Sequence, residues 1–201
     1  TYNKADAHLI TNGNLTAFQF ACDRNYIDIV RYLFPGTIKE VREMGLWLSC
    51  NNNKIDIITF LLEKEVDPNV LRQNKSCLKV SCENGSSEII ELLINHGADI
   101  NEVDNRGISL LINAISYNNI NACRVLLSEG INPLMMFRDK LPIYYAAKND
   151  NPELLKLIIR VNNINSTDRY GNTPIFAACD FNCIENVKLL ISKGADLNIT
   201  N

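Results

Sequence analysis

The chain has 201 residues, 46% of them hydrophobic and 21% charged, with a formal net charge of −3, a balance that is globular rather than disordered. Residues 1–100 carry ten basic and thirteen acidic side chains and residues 101–201 ten of each, so neither half is basic enough for a nucleic-acid footprint. No apolar run approaches the ~18 residues of a membrane helix, and no charged leader with an apolar stretch and cleavage site opens the sequence.

Read in order, the chain repeats one grammar. Small residues recur at Ala21, Ser49, Ser81, Ala114, Ala146 and Ala178, at intervals of 28, 32, 33, 32 and 32 residues. Eight to thirteen residues after each comes an apolar stripe. The stripes are Ile29, Val30, Leu33, Phe34; then Ile57, Ile58, Leu61, Leu62; then Ile89, Ile90, Leu92, Leu93. They continue as Val125, Leu126, Leu127; Leu154, Leu155, Ile158, Ile159; and Val187, Leu189, Leu190, Ile191. This spacing puts each stripe on one broad face of a short helix. A helix that short must be buried against neighbours to persist.

The last copy, from Asp168 to Asn198, reads DRYGNTPIFAACDFNCIENVKLLISKGADLN. Together with NHGADIN and DNRGISLL in the third and fourth copies and LPIYYAA in the fifth, it resembles the ankyrin repeat, a β-turn finger followed by two antiparallel helices in about 33 residues. The resemblance covers essentially the whole chain and implies an all-α fold, an ankyrin-repeat solenoid of paired antiparallel helices with short β-turn fingers. We expect a single array over 1–201, with a partial lead-in at 1–10 and repeats at about 11–38, 39–70, 71–103, 104–135, 136–167 and 168–201.

The matches have mechanical reasons. Pro142 and Pro174 open first helices, where a missing N–H costs nothing. Thr173, Ser109 and Ser76 stand where they can cap those helices. Gly97, Gly130 and Gly194 follow second helices, where the chain needs a left-handed residue. Cys22, Cys50, Cys82 and Cys179 each follow a small residue and read as buried packing groups. The short first interval and Pro35-Gly36 predict a missing or stunted finger there, and MGLWLSC, with Trp47, an irregular second copy. Lys4-Ala5-Asp6 aligns with Gly97-Ala98-Asp99, so we expect the sequence to be part of a longer protein.

No catalytic constellation emerges, and we expect neither an enzyme nor a cofactor. Of two histidines, His96 precedes a helix-ending glycine, where the helix C-terminus favours it, and His8 has no acid or nucleophile nearby in sequence. Seven cysteines show no disulfide framework, and no CxxC pair with a neighbouring His suggests zinc. Five glycosylation sequons, at Asn14, Asn74, Asn84, Asn165 and Asn198, reflect asparagine abundance, about one residue in seven. A reducing compartment, cytoplasmic or nuclear, is the expectation.

The resemblance also implies binding of partner proteins through finger tips and the exposed side of first helices, with no nucleic-acid, membrane or small-molecule partner. By register those positions include Arg72, Arg106, Tyr117, Phe137, Arg138, Arg169, Tyr170 and Phe181. Arginine and aromatic residues carry binding energy at interfaces. Arginine forks pair with carboxylate and phosphate, so an acidic or phosphorylated segment with apolar anchors is the partner expected. The alternative is a regulatory or structural array serving a larger enzyme or membrane protein of which it is part.

Overall fold

The computed structural model describes residues 15–201; the lead-in at 1–10 and His8 lie outside them. The chain gathers into two compact units, one ending at Asp99 and the other running from Ile100 to Asn201.

In the first unit α1 (Ala17–Asp23) and α2 (Ile27–Leu33) form one helix pair, α3 (Lys39–Asn51) and α4 (Ile55–Glu63) a second, and α5 (Cys77–Asn84) and α6 (Ser87–Asn95) a third. First helices pack on first helices, α1 on α3 and α3 on α5, and second helices likewise, α2 on α4 and α4 on α6. The second unit repeats the scheme. Its pairs are α7 (Leu110–Ser116) with α8 (Ile120–Ser128), α9 (Pro142–Ala147) with α10 (Pro152–Ile159), and α11 (Pro174–Asp180) with α12 (Ile184–Ser192).

The small residues at the repeat centres are what allow the first helices to close on one another. Ala21, Ser49, Ser81, Ala114, Ala146 and Ala178 are all buried. The two serines satisfy their hydroxyls one turn back, Ser49 on the Gly45 carbonyl at 2.8 Å and Ser81 on that of Cys77 at 2.9 Å, so neither leaves a polar group orphaned. Gly45 serves the same purpose. A Cβ there would stand 2.7 Å from the Phe18 ring and 2.9 Å from Cys22 Sγ.

The apolar stripes fill the space beneath. Ile57, Ile58, Leu61 and Leu62 are buried, as are Ile89, Ile90 and Leu93, and Leu154, Leu155 and Ile158, each contributing about 1.5–3 kcal/mol relative to exposure. Ile29 and Ile191 depart from the pattern and are exposed. They sit on α2 and α12, which each border one second helix, α4 and α10.

Two readings of the caps and packing groups need correcting. Ser76 and Ser109 accept from the N–H groups of Lys79 and Ile112, but the Thr173 side chain makes no cap bond. There the Phe176 N–H is taken by the Thr173 carbonyl at 3.0 Å, leaving the hydroxyl nothing to accept. Cys22, Cys50 and Cys82 are buried, whereas Cys179 is exposed, because no further helix pair follows α11 and α12 within these residues.

The second copy has no finger. A 3₁₀ turn, Phe34–Gly36, leads straight into α3, whose 13 residues make it the longest helix among those described. The Arg42 guanidinium lies 4.1 Å from the Phe34 ring and donates to its carbonyl at 2.9 Å, holding that entry in place.

Candidate functional site

Two turn chemistries build the fingers. In the third copy β1 (Leu71–Arg72) pairs antiparallel with β2 (Lys75–Ser76), and Gln73 and Asn74 turn the chain at φ 51° and 60°. In the fifth, Phe137 and Lys140 form a single bridge around Arg138 and Asp139, also at φ 51° and 60°. Both central residues left-handed is the tight hairpin turn that matches strand twist.

The fourth and sixth fingers use aspartate and glycine instead. Asp104 Oδ1 accepts from the N–H groups of Arg106 and Ile108 at 2.9 Å each. Asp168 Oδ1 accepts from those of Tyr170 and Asn172 at 2.9 and 3.0 Å. Gly107 and Gly171, at φ 80° and 83°, take the left-handed step that closes each turn.

In the first unit Arg72 is exposed on its hairpin. That hairpin is anchored by Trp47, whose Nε1 donates to the Lys75 carbonyl at 3.0 Å, and by a 2.6 Å Lys75–Glu83 ion pair.

The remaining site residues lie in the second unit, where Phe137, Arg138, Phe181, Arg169 and Tyr170 are brought together in part through Tyr145 and Asp139, which sequence reasoning did not single out. Phe137 lies 6.2 Å, centroid to centroid, from the Tyr145 ring, whose hydroxyl donates to the Phe137 carbonyl at 2.6 Å. The Arg138 guanidinium is 5.1 Å from the Phe137 ring. Lys148 Nζ stands 5.3 Å from Tyr145 and 5.4 Å from Phe181. Such placements of cations against rings are attractive in themselves. Arg169 joins at the finger edge, 3.4 Å from Asp139, with its guanidinium 4.7 Å from the Tyr170 ring and donating to the Tyr170 hydroxyl at 2.7 Å.

Arg106 and Tyr117 stand apart from this group. Arg106 pairs with Asp104 of its own finger at 3.5 Å, and Tyr117 caps the end of α7. Tyr117, Tyr170 and Phe181 are 55%, 62% and 54% exposed, whereas Phe137 is half-buried against Tyr145.

Beneath the group lies one charged anchor. Asp168, its side chain 1% exposed, meets Lys140 Nζ at 3.2 Å. Burial works against its charge, but hydrogen bonds from the Asn172 side chain, the backbone N–H groups of Tyr170 and Asn172, and Lys140 prevail and hold its pKa below the ordinary value. Tyr145 titrates above the ordinary tyrosine value, burial outweighing the nearby Lys140 and Arg138 charges.

A signal for Tyr145 was present in the sequence. Its register equivalents are Phe20, Leu48, Val80, Asn113 and Ala177, so only the first copy also carries a ring at this offset and none carries another phenol.

Among the described residues no cluster of three or more His, Cys, Asp and Glu could hold a metal, and no helix is long and apolar enough to cross a membrane.

The chain is similar to known proteins of one kind. It is 25% identical over 217 aligned residues, 98% of this chain and 15% of that protein, to alpha-latrocrustotoxin-Lt1a of Latrodectus tredecimguttatus. It is 33% identical over 123 residues, 57% of this chain and 16% of that protein, to putative ankyrin repeat protein L371 of Acanthamoeba polyphaga mimivirus. The chain therefore spans about one sixth of the length of these relatives. The crystal structure of the ankyrin repeat domain of Bcl-3 superposes with a TM-score of 0.79 at 18% identity, covering 92% of this chain and 89% of that one, a likeness of fold. The family model described as ankyrin repeats (3 copies) matches residues 46–137 and 135–201. Ankyrin repeats are in general modules for protein–protein interaction, a fold not built around catalysis. On these matches, and on the paired helices and turn fingers described above, the chain belongs to the ankyrin-repeat family.

Proposed function

We propose that this chain is a scaffold or adaptor module that recruits a protein partner through its fingers and the exposed ends of its first helices. The observation that carries the reading is the group formed by Phe137, Arg138, Lys148 and Phe181 around Tyr145. Rings and cations of this kind carry binding energy when a partner desolvates them, and the fold itself has no use for Phe181 or Tyr170 standing in solvent. Within the second unit Arg106, Tyr117, Arg169 and Tyr170 offer the same residue types at fingers and a helix end, and Arg72 offers one on the hairpin of the first unit. Seven free thiols, six of them buried, support a reducing compartment, cytoplasmic or nuclear.

Affinity capture from lysate with the wild-type chain, beside Arg106→Glu/Arg138→Glu/Arg169→Glu, tests the reading. A partner caught by the wild type and lost by a normally folded variant supports it. A partner caught equally by both overturns the site.

A second reading is favoured by the relatives' lengths. Because the chain spans only 15% and 16% of the two proteins above, an array of this kind also suits a regulatory or structural region of a larger chain. Under that reading the face engages another part of its own protein, and it is bound in cis rather than in trans.

A further inference from the structure

We propose that Arg138 and Lys148 receive carboxylates of an acidic partner segment, one cation at each ring of the Phe137–Tyr145 pair, with an apolar partner side chain between them resting on Phe137 and Phe181. The inference rests on the interaction reading above and names the partner's chemistry.

The first argument is which charges are already answered. Arg106 pairs with Asp104, Lys140 with Asp168 and Arg169 with Asp139. Arg138 and Lys148 are in no ion pair among the described residues; the side-chain contacts of each are with aromatic faces. A ring quadrupole attracts a cation without neutralising it. Lys148 is moreover half-buried, and a counter-ion counts for more where solvent is partly excluded. Arginine at the finger tips is therefore not uniform: two of the three in this unit are bound internally and one is available.

The second argument is the backbone beneath Arg138. It sits at φ 51°, in a turn that favours Asn or Gly over a longer side chain. Arginine adds nothing to the turn, and its guanidinium is aimed along the Phe137 ring instead. Gln73 carries the same conformation in the third finger, so what sets Arg138 apart is the charge it presents there.

The third argument separates carboxylate from phosphate. Phosphate recognition gathers several arginines on one group. Here the guanidinium stands at Phe137 on the finger and the ammonium at Tyr145 and Phe181 by the end of α9, so one arginine and one lysine are offered and not an arginine cluster. Two carboxylates flanking an apolar residue suit that arrangement better than a phosphate.

The test is selection of phage-displayed random dodecapeptides on the 201-residue chain, then affinity of the best synthetic peptide by fluorescence polarisation. Enriched peptides should carry Asp or Glu on both sides of a large apolar residue. Arg138→Gln/Lys148→Gln should weaken that peptide by about tenfold with an unchanged melting temperature, and Arg106→Gln/Arg169→Gln by less than roughly twofold. Replacing the peptide's own acids with Gln or Asn should cost the wild type the same factor and cost the double variant almost nothing; this arm holds even where a protein variant folds poorly. Binding that Phe137→Ala/Phe181→Ala abolishes but that ignores both Arg138→Gln/Lys148→Gln and the peptide's acids overturns this inference and leaves the interaction reading standing. Peptides that bind without using this face, or no selected peptide at all, overturn both. A phosphoserine peptide that binds far tighter than its glutamate counterpart overturns the choice of carboxylate.

Discussion

The Lys140 ammonium lies 3.2 Å from Asp168 Oδ2 and 3.7 Å from the centre of the Tyr144 ring, so the fifth finger is tied to the base of the sixth by one ion held over an aromatic face. Asp168 also organises its own turn through Tyr170 and Asn172. Its folded pKa lies below the ordinary 3.8, so its charge stabilises the fold fully above that value. The contribution is lost as pH falls through the lowered folded pKa. Lys140 is raised above 10.5, partner contacts with Tyr144 and Asp168 outweighing burial; its share is complete below that pH and lost as pH rises through the folded value. Asp168→Asn should cost about 1–3 kcal/mol at neutral pH, and the deficit should shrink in acid as the wild type loses its charge. Urea unfolding of both proteins at neutral pH and in steps below pH ~4 reads this; a deficit that is constant with pH would show the charge to be idle.

Gly45 makes the opposite point, a side chain that must be absent. Alanine is the better helix former by about 1 kcal/mol, and on an open helix face the change would stabilise. Here its methyl would stand 2.7 Å from the buried Phe18 ring and 2.9 Å from Cys22 Sγ, and neither can swing away. Gly45→Ala should therefore destabilise by about 1–3 kcal/mol, seen as a lower urea midpoint. A midpoint that rises would show that α1 and α3 can part freely.

The helix pairs, the centre residues and the left-handed glycines were legible because repetition averages over local accidents. Gly97, Gly130 and Gly194 sit at φ 90°, 85° and 88°, as their place after a second helix required. Asparagine was less legible. It reads as compositional bias, yet Asn25, Asn53, Asn118 and Asn182 take left-handed turns between paired helices at φ 54–63°, where asparagine is the best-tolerated side chain after glycine. Asn69, Asn101 and Asn165 accept from the N–H groups of Asp99, Asn132 and Asp196 one repeat later. The site was legible only in part. Register found Arg138 and Phe181, but nothing in a linear pattern says that Arg106 meets a carboxylate of its own turn and Arg169 one of the neighbouring turn while Arg138 meets none. Lys148 becomes notable only once Tyr145 and Phe181 flank it.

Thiol chemistry should divide the seven cysteines sharply. Burial pushes the thiols of Cys22 and Cys123 up to about 12, so almost no thiolate forms there at neutral pH, and Cys50, Cys77, Cys82 and Cys183 are also buried. Only Cys179 is exposed. Since the thiolate is the reactive species, a disulfide reagent under native conditions should modify one cysteine quickly and the rest at the rate of unfolding. Peptide mapping should place the fast label on Cys179, and Cys179→Ser should abolish the fast phase. A fast label on Cys82 or Cys123 would mean that their helices open readily.

The cap positions offer a test in which one register site changes sign between copies. Ser76 and Ser109 hold the third N–H of their helices, and replacing either with alanine should cost about 0.5–2 kcal/mol. Thr173 occupies the same place before α11, but its hydroxyl is buried without a partner, since the Phe176 N–H already meets the Thr173 carbonyl. An unanswered hydroxyl in an apolar site is a cost, and valine has the same shape without it. The backbone there is extended, at φ −87° and ψ 167°, which a β-branched residue accepts without strain. Thr173→Val should therefore be neutral or stabilising by up to about 1 kcal/mol, and Thr173→Ala should be destabilising through the lost methyl. Chemical denaturation of the four variants would settle the order; a clear loss on Thr173→Val would show that the hydroxyl has a partner in solution after all.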